Sequence, residues 1–114
     1  MDATDDRPLL LGGSWVERDA VLEVRDPEDG SLVGRTAVAS VQDAQLAVTM
    51  AETASPLPRA ERSSVLERAA ERVDERAAEL AETIAREGIK TIREARREVG
   101  RCATTLRLAA SEAR

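Results

Sequence analysis

Apolar residues recur in steps of three and four along the second half of the chain, the spacing that keeps side chains on one helix face. Leu66, Ala70, Val73, Ala77, Leu80 and Ile84 form one such stripe, and Ile92, Ala95, Val99, Cys102, Leu106 and Ala109 form a second. Arg93, Glu94, Arg96, Arg97, Glu98 and Arg101 fill the side opposite the second stripe. The pattern predicts one long helix from Arg59 to about Gly88 and another from Thr91 onward. Gly88 falls where a left-handed residue ends a helix without steric cost, and Ile89 then folds back onto Ile84 in a Schellman closure. Thr91 followed by Glu94 is a capping box that starts the next helix.

The first half alternates instead. Leu9 to Leu11 and Ser14 to Val16 flank Gly12 and Gly13, which predicts a short hairpin with Trp15 as its large apolar anchor. Val21 to Val24 and Leu32 to Val38 flank the dense turn signal of Asp26, Pro27, Glu28, Asp29 and Gly30. Ser40 with Asp43 opens a short helix whose buried side is Ala44, Ala47, Val48 and Ala51, and Pro56 and Pro58 end it. The fold class is therefore α+β and mostly α, a small antiparallel β segment followed by three helices. Residues 1–8 form a disordered N-terminus, 9–38 the β-hairpin segment and 40–114 the helical segment.

Composition narrows this picture. The 114 residues are 42% hydrophobic and 34% charged, and Trp15 is the single aromatic residue, so alanine carries much of each apolar face. Such faces are shaped to pack on more chain or on another subunit. A net charge of -5 argues against nucleic-acid or anionic-membrane partners. Arg68, Arg72 and Arg76 each have Glu three positions later, the mark of a solvated helix face. The single cysteine, the acidic N-terminus and the absence of a long apolar run fit a cytoplasmic protein.

Candidate chemistry is sparse. With no histidine in the chain, His-dependent triads and His metal sites are excluded. Cys102 lies on the second apolar stripe and reads as a small buried hydrophobe rather than a nucleophile. Gly12 and Gly13 lie in a hairpin, not between a strand and a helix, and so form no phosphate cradle. No catalytic, cofactor-binding or metal-binding residue is assigned.

The order of these pieces resembles the amino-terminal opening of the NAD(P)-dependent aldehyde dehydrogenase superfamily. The resemblance runs through Leu9 to Val16 (LLLGGSWV), Val24 to Gly30 (VRDPEDG) with Leu32 to Gly34, and the helix from Ser40 to Ala54. It continues through Arg59 to Ala81 and through Glu87, Gly88, Lys90, Glu94, Ala95, Glu98 and Val99. The family commonly has Gly-Lys-Pro at its turn, whereas this chain has Gly88-Ile89-Lys90-Thr91, one residue longer and without the proline.

The resemblance implies the N-terminal part of an α/β, Rossmann-like fold, with residues 40–114 as the helices of an incomplete coenzyme-binding domain. It implies oxidation of an aldehyde to a carboxylic acid in a complete enzyme, by thiolate attack, hydride transfer to NAD or NADP, and thioester hydrolysis. The family's nucleotide turn, general base, nucleophile and oxyanion asparagine lie downstream of the matched part. The chain is therefore expected to bind no cofactor and to be inactive alone, with the remainder of such an enzyme or a second subunit as partner and a homo-oligomeric full-length enzyme. Glu98 is the nearest match to an acidic residue that lies near a monovalent cation in some relatives. The alternative reading is a stand-alone helical-hairpin module for interaction or oligomerisation.

Overall fold

The structure is a computed structural model and describes residues 6–114. Its contacts divide the chain into two units at Ser55 and Pro56.

The first unit holds β1 (Asp6–Arg7), β2 (Leu9–Leu11), β3 (Ser14–Val16), β4 (Val21–Arg25), β5 (Leu32–Ala37) and α1 (Val41–Thr53). β2 and β3 pair antiparallel across Gly12 and Gly13, whose φ values of 57° and 85° are those of a tight hairpin turn. The positive φ is what requires Gly12; a Cβ there would lie 2.5 Å from the Met50 sulfur, the flexible end of an exposed side chain that can give way. β4 and β5 pair antiparallel around the predicted turn, where Gly30 has φ 73° and its N–H donates to the Asp26 carbonyl at 2.8 Å.

Two expectations change here. β1 pairs parallel with β5, Asp6 opposite Arg35 and Arg7 opposite Thr36, so the β segment is not wholly antiparallel and 6–7 are not disordered. Arg7 precedes Pro8, which biases it to extended backbone, and the β5 edge opposite β4 accepts it. The expectation for residues 1–5 lies outside the described residues. Trp15 is no anchor, being 70% exposed. It sits opposite Leu10, on the open face of the ribbon, while Leu9, Leu11 and Val16 share the partly covered face.

α1 starts after Ser40 as predicted, and Ser40 and Asp43 there close a capping box with both bonds made. Its apolar side is not buried: Ala47 is half-covered, and Ala44, Val48 and Ala51 are exposed. The buried residue of α1 is Asp43.

The second unit holds α2 (Arg59–Glu75), α3 (Ala77–Gly88) and α4 (Ile92–Glu112), so the described residues form four helices and not three. The stretch read as one rod breaks at Arg76, where φ is -105° and ψ is 16°. There the guanidinium grips Glu79 twice, Nε to Oε2 at 2.9 Å and Nη2 to Oε1 at 2.6 Å, holding a carboxylate in the first turn of α3. No glycine or proline marks this break. Arg72 pairs with Glu75 at 2.9 Å, as the spacing predicts.

α4 packs along both α2 and α3. Asp74 pairs with Arg107 and Glu67 with Arg114, which fixes α2 and α4 antiparallel. Between the helices lies a core of small side chains, Ala70, Ala81, Ala95, Ala103 and Ala110 with Val99. Alanine at these positions lets backbones approach closely. The larger Leu66, Val73, Leu80, Ile84 and Leu106 are only half-buried.

The second stripe is rotated from its predicted position. Ala103 and Ala110 are buried in place of Cys102 and Ala109, which are exposed along with Ile92. The cause is that the line facing α2 and α3 runs through Ala95, Val99, Ala103 and Ala110. The turn at the top of the hairpin also differs. Gly88 is the last residue of α3, and the left-handed residue is Ile89, with φ 46° and ψ 47°. With Thr91 fixed as the next N-cap, Ile89 and Lys90 alone remain to reverse the chain. Ile89 is 67% exposed and does not close on Ile84.

Candidate functional site

The α3–α4 hairpin builds a concavity with an apolar wall, about 510 Å³ in volume. Val73, Leu80 and Ile84 line it from the α2–α3 side, and Val99 and Cys102 from α4. Val73, Leu80 and Ile84 are left half-covered, because close helix approach buries the small residues and sets the large ones at the rim, while Val99 is buried and Cys102 exposed. The mouth carries charge: Lys90 Nζ donates to Glu98 Oε2 at 2.7 Å. That bond holds the Glu98 carboxyl below its usual range.

Each residue weighed from the sequence can now be placed. Cys102 is an exposed thiol on the concave wall and not a buried hydrophobe. The chain has no histidine, so no imidazole stands beside this thiol. Glu98 is engaged by Lys90. Among the described residues there is no group of three or more Cys, Asp or Glu side chains placed to hold a metal ion. Gly12 and Gly13 turn a hairpin and lead into no helix. Among the described residues, no helix is long and apolar enough to cross a membrane.

One polar assembly in the first unit went unread in the sequence. Asp43 is 5% exposed, and its Oδ2 accepts from the Ser40 N–H at 2.8 Å, the Ser40 hydroxyl at 2.8 Å and Arg18 Nε at 3.1 Å. Arg18 Nη2 donates to Oδ1, and Arg18 Nη1 to the Glu17 carbonyl at 2.7 Å. The Arg18 guanidinium, then the two Ser40 donors, hold the carboxyl far below the usual carboxylate range. Arg18 stands 25 residues from Asp43, so no local spacing signals the pair. The assembly ties the β3–β4 connection to the start of α1.

A sequence profile described as the aldehyde dehydrogenase family matches residues 15–114. An aldehyde-dehydrogenase-like protein of Sinorhizobium fredii is 42% identical over 99 residues, covering 83% of this chain and 19% of that protein. The crystal structure of lactaldehyde dehydrogenase from Escherichia coli superposes with a TM-score of 0.89 at 30% identity, covering 98% of this chain and 24% of that one. An NAD-dependent benzaldehyde dehydrogenase from Corynebacterium glutamicum gives 0.86 at 30% identity, over 99% of this chain and 25% of that one. The chain thus spans a fifth to a quarter of the length of these relatives.

Proposed function

The chain belongs to the aldehyde dehydrogenase family, and on that premise we propose that it serves as the amino-terminal portion of an NAD(P)-dependent aldehyde dehydrogenase. Its α2–α4 layer covers one face of a parallel sheet that the rest of the enzyme supplies. The observation that supports this reading is the half-covered wall of Val73, Leu80 and Ile84 beside a core made of alanine and Val99. An apolar concavity of that kind is a packing surface awaiting its second layer.

In the whole enzyme the reaction is oxidation of an aldehyde to a carboxylic acid with NAD or NADP as hydride acceptor, in the cytoplasm and in a homo-oligomer. The role of this portion is to hold the coenzyme-binding layer in shape. It contributes no reacting group, and neither nucleotide binds to it alone.

The test is turnover. The purified chain is assayed with NAD+ and with NADP+ across aliphatic, aromatic and acidic aldehydes, beside a Cys102→Ser control. No production of reduced nucleotide is expected, and turnover above the control contradicts the proposal. The competing module reading draws on the alanine core and the interhelical pairs Asp74–Arg107 and Glu67–Arg114. It requires the isolated chain to unfold cooperatively with no dye-accessible apolar surface.

A further inference from the structure

We propose that Asp29 is a site of spontaneous isomerisation through a cyclic imide with Gly30, and that the folded β4–β5 turn holds this reaction in check. The sequence supplies the reacting pair once. The chain has no asparagine, and of its eight aspartates Asp29 alone precedes glycine. An aspartate carboxyl and the amide nitrogen of the next residue close a five-membered ring, and glycine, having no Cβ, crowds that attack least. The turn also leaves the product room. Asp29 and Gly30 are exposed, and nothing lies within 4 Å of the position that a Gly30 Cβ would take.

The step balances without a partner or a cofactor. The Gly30 nitrogen bonds to the Asp29 Cγ, and one carboxyl oxygen leaves as water, taking the amide proton and the carboxyl proton. A succinimide remains. Water then opens the ring: addition at Cγ restores aspartate, and addition at the Asp29 main-chain carbonyl carbon leaves the chain running through Cγ, as isoaspartate. Nothing is oxidised or reduced.

Both reacting groups are engaged in the folded turn. The Gly30 N–H donates to the Asp26 carbonyl at 2.8 Å, so the nucleophile must leave that bond before it can attack. Asp29 Oδ1 accepts from the Ser31 N–H at 2.8 Å, which draws the carboxyl past Gly30 toward the following residue. A third bond, from the Asp26 N–H to the Ser31 carbonyl at 2.8 Å, closes the turn around them. Ring closure therefore waits on local opening. Isoaspartate adds a methylene to the main chain between Asp26 and Ser31, so the modified turn does not reclose on the same bonds. The change thus marks chains whose turn has spent time open.

The test incubates the whole chain at neutral pH, in buffer and in guanidinium chloride. The tryptic peptide Asp26–Arg35 is then followed by chromatography with electron-transfer fragmentation, which separates isoaspartate from aspartate. Isoaspartate at position 29 is expected to build up in the denatured chain and about tenfold more slowly in the native one, because two hydrogen bonds must open first. In denaturant, where folding is not at issue, Gly30→Ala should slow the reaction several-fold. Equal rates in the native and denatured chain overturn the guarding role of the turn. An absence of isoaspartate at 29 in the denatured chain overturns the site, as does equal conversion at Asp19, which precedes alanine.

Discussion

The two units of this chain are held by opposite means. Residues 56–114 bury alanine, one valine and the small Ser63 between helices and leave their ions at the surface. Among the described residues before 56, the buried ones are Ala37 and Asp43, and a carboxylate with its donors does the work that apolar packing does in the other unit. A short polar constellation fixes one geometry and tolerates no substitution of its members. A small-residue interface accepts polar change at its rim but no added volume within.

That contrast can be broken from either side. The largest effect is expected from Asp43→Ala, which removes the acceptor of bonds from the Ser40 N–H, the Ser40 hydroxyl and two Arg18 nitrogens. Amide hydrogen exchange should then lose protection across α1 while α2, α3 and α4 keep theirs. Ala81→Leu comes next. Ala81 has no exposed surface, so the added atoms have nowhere to go, and a cost of about 1–3 kcal/mol is expected in urea unfolding. Should Leu be accepted without cost, the helices are not in close contact and the small-residue account fails.

Thr91→Ala sharpens the comparison by testing a polar device inside the apolar unit. The Thr91 hydroxyl accepts from the Glu94 N–H at 3.3 Å while Glu94 reaches back to the Thr91 N–H at 3.1 Å. Losing the hydroxyl should cost about 1 kcal/mol by thermal or urea unfolding. The smallest effect is acid sensitivity. The Glu94 carboxyl is held below its ordinary 4.5 by the Thr91 donors, and that of Glu98 by Lys90. A depressed carboxyl lends stability that is complete above its unfolded pKa and fades as pH falls through the folded one. The urea midpoint should therefore decline below about pH 4.5, and Glu94→Gln should flatten that slope.

The elements with local chemistry were legible in the sequence. The helix starts at Ser40 and Thr91, the glycine hairpin and the Asp26 to Gly30 turn stand where their residues place them, because each rests on bonds within a few positions. Properties set by distant partners were not legible. Periodicity locates a stripe but not its rotation, so Cys102 and Ala109 were misplaced by one position each against Ala103 and Ala110. The break at Arg76 comes from α4 packing on both pieces and from a local grip on Glu79, without a proline or glycine to announce it. Trp15 was read from its size, whereas the strand alternation decides its face. The absence of an assigned reacting residue followed from the missing histidine and the missing phosphate loop, and the open apolar wall was anticipated from the thinness of an alanine face.

The central claim is that this wall, with Cys102 on it, lacks its second layer in the isolated chain. Thiol labelling of the native protein by a chromogenic disulfide tests it most directly. The account predicts that Cys102 reacts stoichiometrically and about as fast in the native chain as in urea. A native thiol that reacts only after cooperative unfolding would mean that the chain covers the wall by itself, and would contradict the account.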